Sequence, residues 1–183
     1  PRGHWYTQHS IWRNLSNHFV LSVMSEIDDL ESLFLNDIPL IDTRAPVEFN
    51  KVSLHLASNL PLMIDEEREA VGICYQQKGQ AAALRLGHKL VNGELKAERL
   101  NQWIHFSQQH PNGALFCFRG GLRSEITQSW LKEKGIDYLR VRGGYKAMRR
   151  WLIDAVERTC TRTPILLLVG QTGSAKTRVL NQG

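Results

Sequence analysis

The sequence is poor in cysteine and has no long apolar run, and each shortage narrows what the chain can be. Its three cysteines, Cys74, Cys117 and Cys160, stand far apart with no C-x-x-C pair. That excludes a cysteine-built zinc framework and a disulfide scaffold, and it fits a reducing compartment. The seven histidines are scattered, and none pairs with a cysteine or carboxylate at ligand spacing, so no metal site is expected. No stretch approaches the roughly 18 apolar residues of a membrane-spanning helix. Phe19-Val20-Leu21 is too short for the core of a signal peptide. The expectation is a soluble, cytoplasmic protein with no membrane partner. Acidic residues are in deficit, 18 against 23 Lys and Arg, and the net charge of +5 admits anionic partners without requiring one. The chain lacks an initiator Met and ends seven residues past a lysine of phosphate-loop type, so it is expected to be a fragment.

What remains is enough for one ordinary domain and the start of another. Residues 1–23 show neither a helical nor a strand period and read as a tail or an upstream extension before Met24. Ser25 to Leu35 has apolar residues at helical spacing (Ile27, Leu30, Leu33, Phe34) and predicts a helix. Pro39 to Thr43 predicts a strand, Pro46 opens a short helix, and Ala57 to Leu62 is a further extended segment. Residues 66–109 predict two or three helices, broken near Gly72, Gly79 and Gly93. One carries Ala82, Leu86 and Leu90 on a face, another Leu100, Trp103, Ile104 and Phe106. Gly113 to Phe116 predicts a strand, Ser124 to Lys134 a helix closed by Gly135, and Tyr138 to Val141 a strand. Tyr145 to Arg158 predicts a helix with Met148, Trp151, Leu152 and Val156 inward. Strands alternating with helices imply a mostly parallel α/β sheet covered on both faces, with reactive groups at the C-terminal strand ends.

The chemistry concentrates at Cys117-Phe118-Arg119-Gly120-Gly121-Leu122-Arg123-Ser124, between a strand and a helix N-terminus. Helix N-termini and guanidinium groups favour a thiolate, and paired glycines let successive backbone N–H groups turn toward an anion. A free cysteine is most often a packing residue, yet packing needs neither the glycines nor the flanking Arg119 and Arg123. The spacing C-x5-R fits cysteine-dependent phosphatases, whose arginine holds a phosphoryl group under attack. Sulfurtransferases of the rhodanese kind use a similar loop to hold a persulfide, typically one residue shorter. Phe116 stands where tyrosine phosphatases usually have His. Asp42, Arg44 and Glu48 are expected to form a structural salt-bridge and capping network, and Cys74 and Cys160 to be packing residues. The basic run Arg140, Arg142, Lys146, Arg149 and Arg150 is either a solvated face or a phosphate-backbone contact.

Further on, Ile165 to Val169 is an apolar strand leading into Gly170-Gln-Thr-Gly173-Ser-Ala175-Lys176-Thr177. This matches the phosphate-loop pattern G-x-x-x-x-G-K-[ST] except for Ala175 at the second glycine. Gly170, Gly173, Lys176 and Thr177 are therefore phosphate-binding candidates.

Several segments resemble the rhodanese superfamily: Leu40 to Phe49, His55 to Pro61, and Val141-Arg-Gly-Gly-Tyr145 with Trp151. With the C-x-x-G-G-x-R-S loop, the insert from Leu60 to Gly79, Ala83 to Val91, Gly143 to Ala147 and the adjoining phosphate loop, the chain resembles the bacterial tRNA 2-selenouridine synthases. The resemblance implies a rhodanese-like domain over 24–160 with a helical insert at about 66–109, then the start of a truncated P-loop α/β domain over 161–183. It implies a transferase that replaces sulfur by selenium in the wobble 2-thiouridine of tRNA. Selenophosphate would be the donor, and an S-geranyl intermediate would form from geranyl diphosphate. Cys117 would be catalytic, with Arg119, Gly120, Gly121, Arg123 and Ser124 holding the anionic group and no tightly bound cofactor. The other readings are a rhodanese-type sulfurtransferase, a C-x5-R phosphatase, and an inactive tRNA-binding remnant.

Overall fold

The computed structural model describes residues 26–162 together with Val169. The phosphate-loop candidates Gly170, Gly173, Lys176 and Thr177 lie outside the described residues, as does the expected tail at 1–23. In chain order the elements are β1 (Glu26–Ile27), α1 (Leu30–Leu35), β2 (Leu40–Asp42), α2 (Pro46–Lys51), β3 (Ala57–Asn59), α3 (Asp65–Leu90), α4 (Gly93–Gln109), β4 (Ala114–Phe116), α5 (Leu122–Glu133), β5 (Leu139–Val141) and α6 (Gly144–Arg162).

The five strands form one sheet in the order β1-β5-β4-β2-β3, and every pairing is parallel. Strand residues alternate between two cores, as a period of two requires. Ile41 and Leu115 face one core, which α3, α4 and α5 complete with Val91, Leu100, Trp103, Phe106, Trp130 and Leu131. Leu40, Ala114, Phe116 and Val141 face the other, completed by Leu33 of α1 and by Tyr145 and Met148 of α6. The crossovers β3→β4 and β4→β5 step the same way along the sheet and carry helices on the first face. The crossover β1→β2 steps the opposite way and uses the second, as a uniform handedness demands.

Four expectations change. Glu26–Ile27 is an edge strand, not the first turn of a helix, because its backbone pairs with Arg140 and Val141. Only Leu30–Leu35 is helical, capped by Asp29, whose carboxylate accepts from Ser32 N at 3.0 Å. In the insert the helix runs through Gly72. The real breaks are Gly79, with φ +77° inside α3, and Gly93 at the start of α4. On α6, Met148 is buried but Val156 is exposed, since the helix runs on past the sheet. Cys160, on that same distal stretch, is exposed, so it is not the packing residue expected.

The insert is locked to the sheet by polar contacts that burial makes valuable. Arg99 of α4 forms a forked pair with Glu67 at 2.8 and 3.1 Å and also donates to Leu62 O. Trp103 Nε1 donates to Leu60 O at 3.0 Å. Phe34 of α1 stacks on Trp151 of α6 with centroids 5.2 Å apart, closing the opposite face.

Candidate active site

Cys117 follows β4 directly and sits at the C-terminal edge of the sheet, flanked by the ends of β2 and β5. Thr43, just past β2, donates both its N–H and its hydroxyl to Phe116 O, each at 2.9 Å, so the strand end that delivers the cysteine is clamped. The expected network of Asp42, Arg44 and Glu48 is present beside it. Asp42 and Arg44 form a buried forked pair whose closest contact is 2.6 Å, and the Arg44 guanidinium lies 4.1 Å over the Tyr145 ring. Pro46 opens α2, and Glu48 in its first turn accepts from Ala45 N at 3.2 Å.

The loop itself is held from outside through its carbonyls. At the start of α6, Tyr145 N donates to Cys117 O at 2.9 Å and Lys146 N donates to Phe118 O at 3.0 Å. Arg140 donates to Gly120 O, while Ser124 Oγ and Glu125 N donate to Gly121 O at 2.8 and 3.1 Å. The amides from Phe118 to Ser124 donate no hydrogen bond among the described residues. Carbonyls tied back and amides left open make a donor-rich loop at a helix N-terminus, which suits an anion. The approach is so close that only glycine fits at its tightest point. A Cβ on Gly144 would fall 2.1 Å from Cys117 O and 2.6 Å from Gly120 N.

The thiol is 3% exposed. Its Sγ lies 3.2 Å from Ser124 Oγ and 3.7 Å from Gly121 O. As a thiol it donates into this pair. Once ionised it can only accept, and the Ser124 hydroxyl is the donor within reach. Arg123 lies across the loop with its guanidinium forked onto Glu48, at 2.5 and 3.2 Å. Burial alone would lower the Arg123 pKa, but the hydrogen bonds and charge of Glu48 outweigh it and raise the value. Burial likewise works against the Glu48 carboxylate, and Arg123 nevertheless holds its pKa below the usual range.

Cys117 opens into a cleft of about 1340 Å³ between the loop, α2 and α6. Three of its cations are already engaged: Arg44 by Asp42, and Arg68 and Arg123 by Glu48. Lys51, Arg119, Lys146, Arg149 and Arg150 line the same cleft and carry no ion pair among the described residues. The expected loop residues Cys117, Arg119, Gly120, Gly121, Arg123 and Ser124 are thus brought together, with Arg123 committed to Glu48. An adjoining apolar cleft of about 580 Å³ between α3 and α5 shares Arg68, Leu122 and Arg123 with the cationic one. The sequence carried no sign of it, because its walls come from helices far apart in the chain.

Fold and loop together define a parallel α/β domain that presents a buried cysteine, in an amide-lined loop, to a cationic cleft. Sequence comparison places that domain. The chain is 57% identical over 157 residues to a protein of Marinobacter nauticus named tRNA 2-selenouridine synthase, covering 86% of this chain and 43% of that protein. Synthases of the same name from Pseudomonas fluorescens and Photobacterium profundum are 54% and 57% identical over 84% and 82% of this chain. Over the matched stretch the chain is similar to proteins named tRNA 2-selenouridine synthase, and it spans about two fifths of the length of these curated relatives. No protein-family model matches the chain. Among solved structures, it is similar to the N-terminal domain of a putative ATP/GTP binding protein from Clostridium difficile, with TM-score 0.63 and 29% identity. That match covers 70% of this chain and 99% of the other.

Proposed function

We propose that this chain is the cysteine-loop part of a tRNA 2-selenouridine synthase, a transferase that exchanges sulfur for selenium on the wobble 2-thiouridine of tRNA in the cytoplasm. The observation that carries the reading is the site itself: a buried cysteine beside a run of open amides, facing a cleft in which five cations carry no ion pair among the described residues. Relatives named for this reaction are 57% and 54% identical to the chain over 157 and 154 residues.

In this reading selenophosphate is the selenium donor, and its anionic group is held by the loop amides of Gly120, Gly121 and Ser124 and by Arg119. Arg123 stiffens the loop through Glu48 and adds positive charge. The 2-thiouridine sulfur is first alkylated by geranyl diphosphate with loss of diphosphate; the selenium of selenophosphate then adds to C2, geranylthiol leaves, and water takes the phosphoryl group from selenium as phosphate. The apolar cleft adjoining the cationic one supports an apolar chain passing beside the site. Gly170, Gly173, Lys176 and Thr177 bind a phosphate or diphosphate group. Cys117 serves the selenation step.

The test is nucleoside mass spectrometry of tRNA from a strain lacking its own synthase and supplied with the full-length protein. Wild type yields 2-selenouridine, and Cys117→Ser yields none while keeping the wild-type melting temperature. Undiminished 2-selenouridine in the variant sinks the role of Cys117. Turnover of an aryl phosphate with no effect on tRNA favours the phosphatase reading instead.

A further inference from the structure

The basic run from Arg140 to Arg150 is one patch in the sequence, but the fold divides it in two. Arg140 and Arg142 are paired with acids of β1, of the turn after it and of α5. Arg140 pairs with Glu125 at 3.0 Å and with Glu26, and Arg142 pairs with Glu26 at 2.8 Å and Asp28 at 3.5 Å. Lys146, Arg149 and Arg150 instead lie on α6 at i, i+3 and i+4, exposed, along the wall of the cysteine cleft. The acids lining that cleft are Glu48, committed to Arg123 and Arg68, and Asp154, one turn beyond Arg150.

We infer that the Lys146–Arg149–Arg150 strip of α6 is the tRNA-backbone interface, gripping the phosphates next to the nucleotide presented to Cys117. The inference rests on the reading of tRNA as substrate and adds where the tRNA docks. Charge that is exposed, aligned and without an ion pair among the described residues suits a polyanion better than a single small anion. The strip extends outward from the thiol by about 6 Å along the helix axis, comparable to the step between successive phosphates of a nucleic-acid strand. At its base, Lys146 is joined to the catalytic loop through its own amide on Phe118 O. Phosphate contacts position a nucleic acid without reading its sequence, so the strip sets the register of the strand and leaves the choice of nucleotide to the cleft.

The test is binding of bulk tRNA to this chain across a salt series. The triple variant Lys146→Gln, Arg149→Gln, Arg150→Gln is expected to weaken binding about tenfold or more at moderate salt, and to flatten the log Kd against log salt slope by about 2. A charge-keeping triple (Lys146→Arg, Arg149→Lys, Arg150→Lys) retains both affinity and slope. Arg142→Gln removes a charge from the same run but from the paired half, and stays within about twofold of wild type. Wild-type affinity and slope in the glutamine triple overturn the inference, and so does an Arg142→Gln loss as large as that of Arg149→Gln. Unaltered tRNA binding, with loss of inorganic phosphate's protection of Cys117 against alkylation, assigns the strip to a small anion and also overturns it. The two proposals separate cleanly: tRNA held by the strip without selenation defeats the reaction and leaves the interface standing. Full selenation by the full-length glutamine triple with an unchanged slope does the reverse.

Discussion

Arg123 places both terminal guanidinium nitrogens on the Glu48 carboxylate, at 2.5 and 3.2 Å, and so ties the end of the cysteine loop to the first turn of α2. The same carboxylate also takes Arg68 from α3 at 3.2 Å. Glu48 is therefore the common anchor of the loop, the short helix beside it and the insert.

Removing that anchor is expected to cost stability in a pH-dependent way. Glu48→Gln should destabilise by roughly 1–3 kcal/mol near neutral pH, the range for hydrogen bonds to charged groups. The folded pKa of Glu48 lies below its usual value of 4.5, so the wild-type advantage is fully present above that value. It fades as pH falls through the lower, folded pKa. Urea unfolding of both proteins from neutral to strongly acidic pH tests this, and a difference that stays constant through the acid range contradicts it.

Asp42 and Arg44 are fully buried partners, so each depends on the other more than an exposed pair would. Asp42→Ala leaves the Arg44 guanidinium without its carboxylate beneath the sheet edge. The expected loss is roughly 3–5 kcal/mol, read by denaturant midpoint. A loss below about 1 kcal/mol shows that water or Val52 O, which already accepts from Arg44 at 2.9 Å, satisfies the charge.

Ser124→Ala separates chemistry from folding. The hydroxyl bridges Cys117 Sγ and Gly121 O, and its loss should cost about 1 kcal/mol of stability. The sulfur loses its nearest side-chain donor, so 2-selenouridine formation should fall about tenfold or more. Wild-type levels of 2-selenouridine in the variant remove Ser124 from any role at the sulfur.

Gly144→Ala drives a methyl group into Cys117 O and Gly120 N at a position whose φ is +56°. Overpacking and left-handed strain together predict a loss of more than about 2 kcal/mol. Activity should fall further than stability explains, because the loop that must move carries the thiol. Amide hydrogen exchange centred on residues 117–121 checks where the strain is released.

Much of the fold was legible because its signals are local. The β4–loop–α5 unit could be read from an apolar run, two glycines and a helical stretch, and α4 from the spacing of Leu100, Trp103 and Phe106. Glu26–Ile27 was misread because a two-residue edge strand has no periodicity of its own, and its backbone pairing with β5 alone makes it a strand. Val156 obeys the helical period of α6, yet its side chain is exposed. Period tells which residues share a face, not how far the partner surface extends.

By itself the sequence determined the reactive unit, because a cysteine, two glycines and two arginines between a strand and a helix are set within eight consecutive positions. It also determined the parallel α/β class, because strand and helix patterns alternate along the chain. Only the tertiary structure decided what each charge is for. Pairing is a matter of distance in space, and Glu48 reaches Arg123 across 75 positions of sequence. Likewise Glu26, more than a hundred positions away, claims Arg140 and Arg142, while Lys146, Arg149 and Arg150 line the cleft with no ion pair among the described residues.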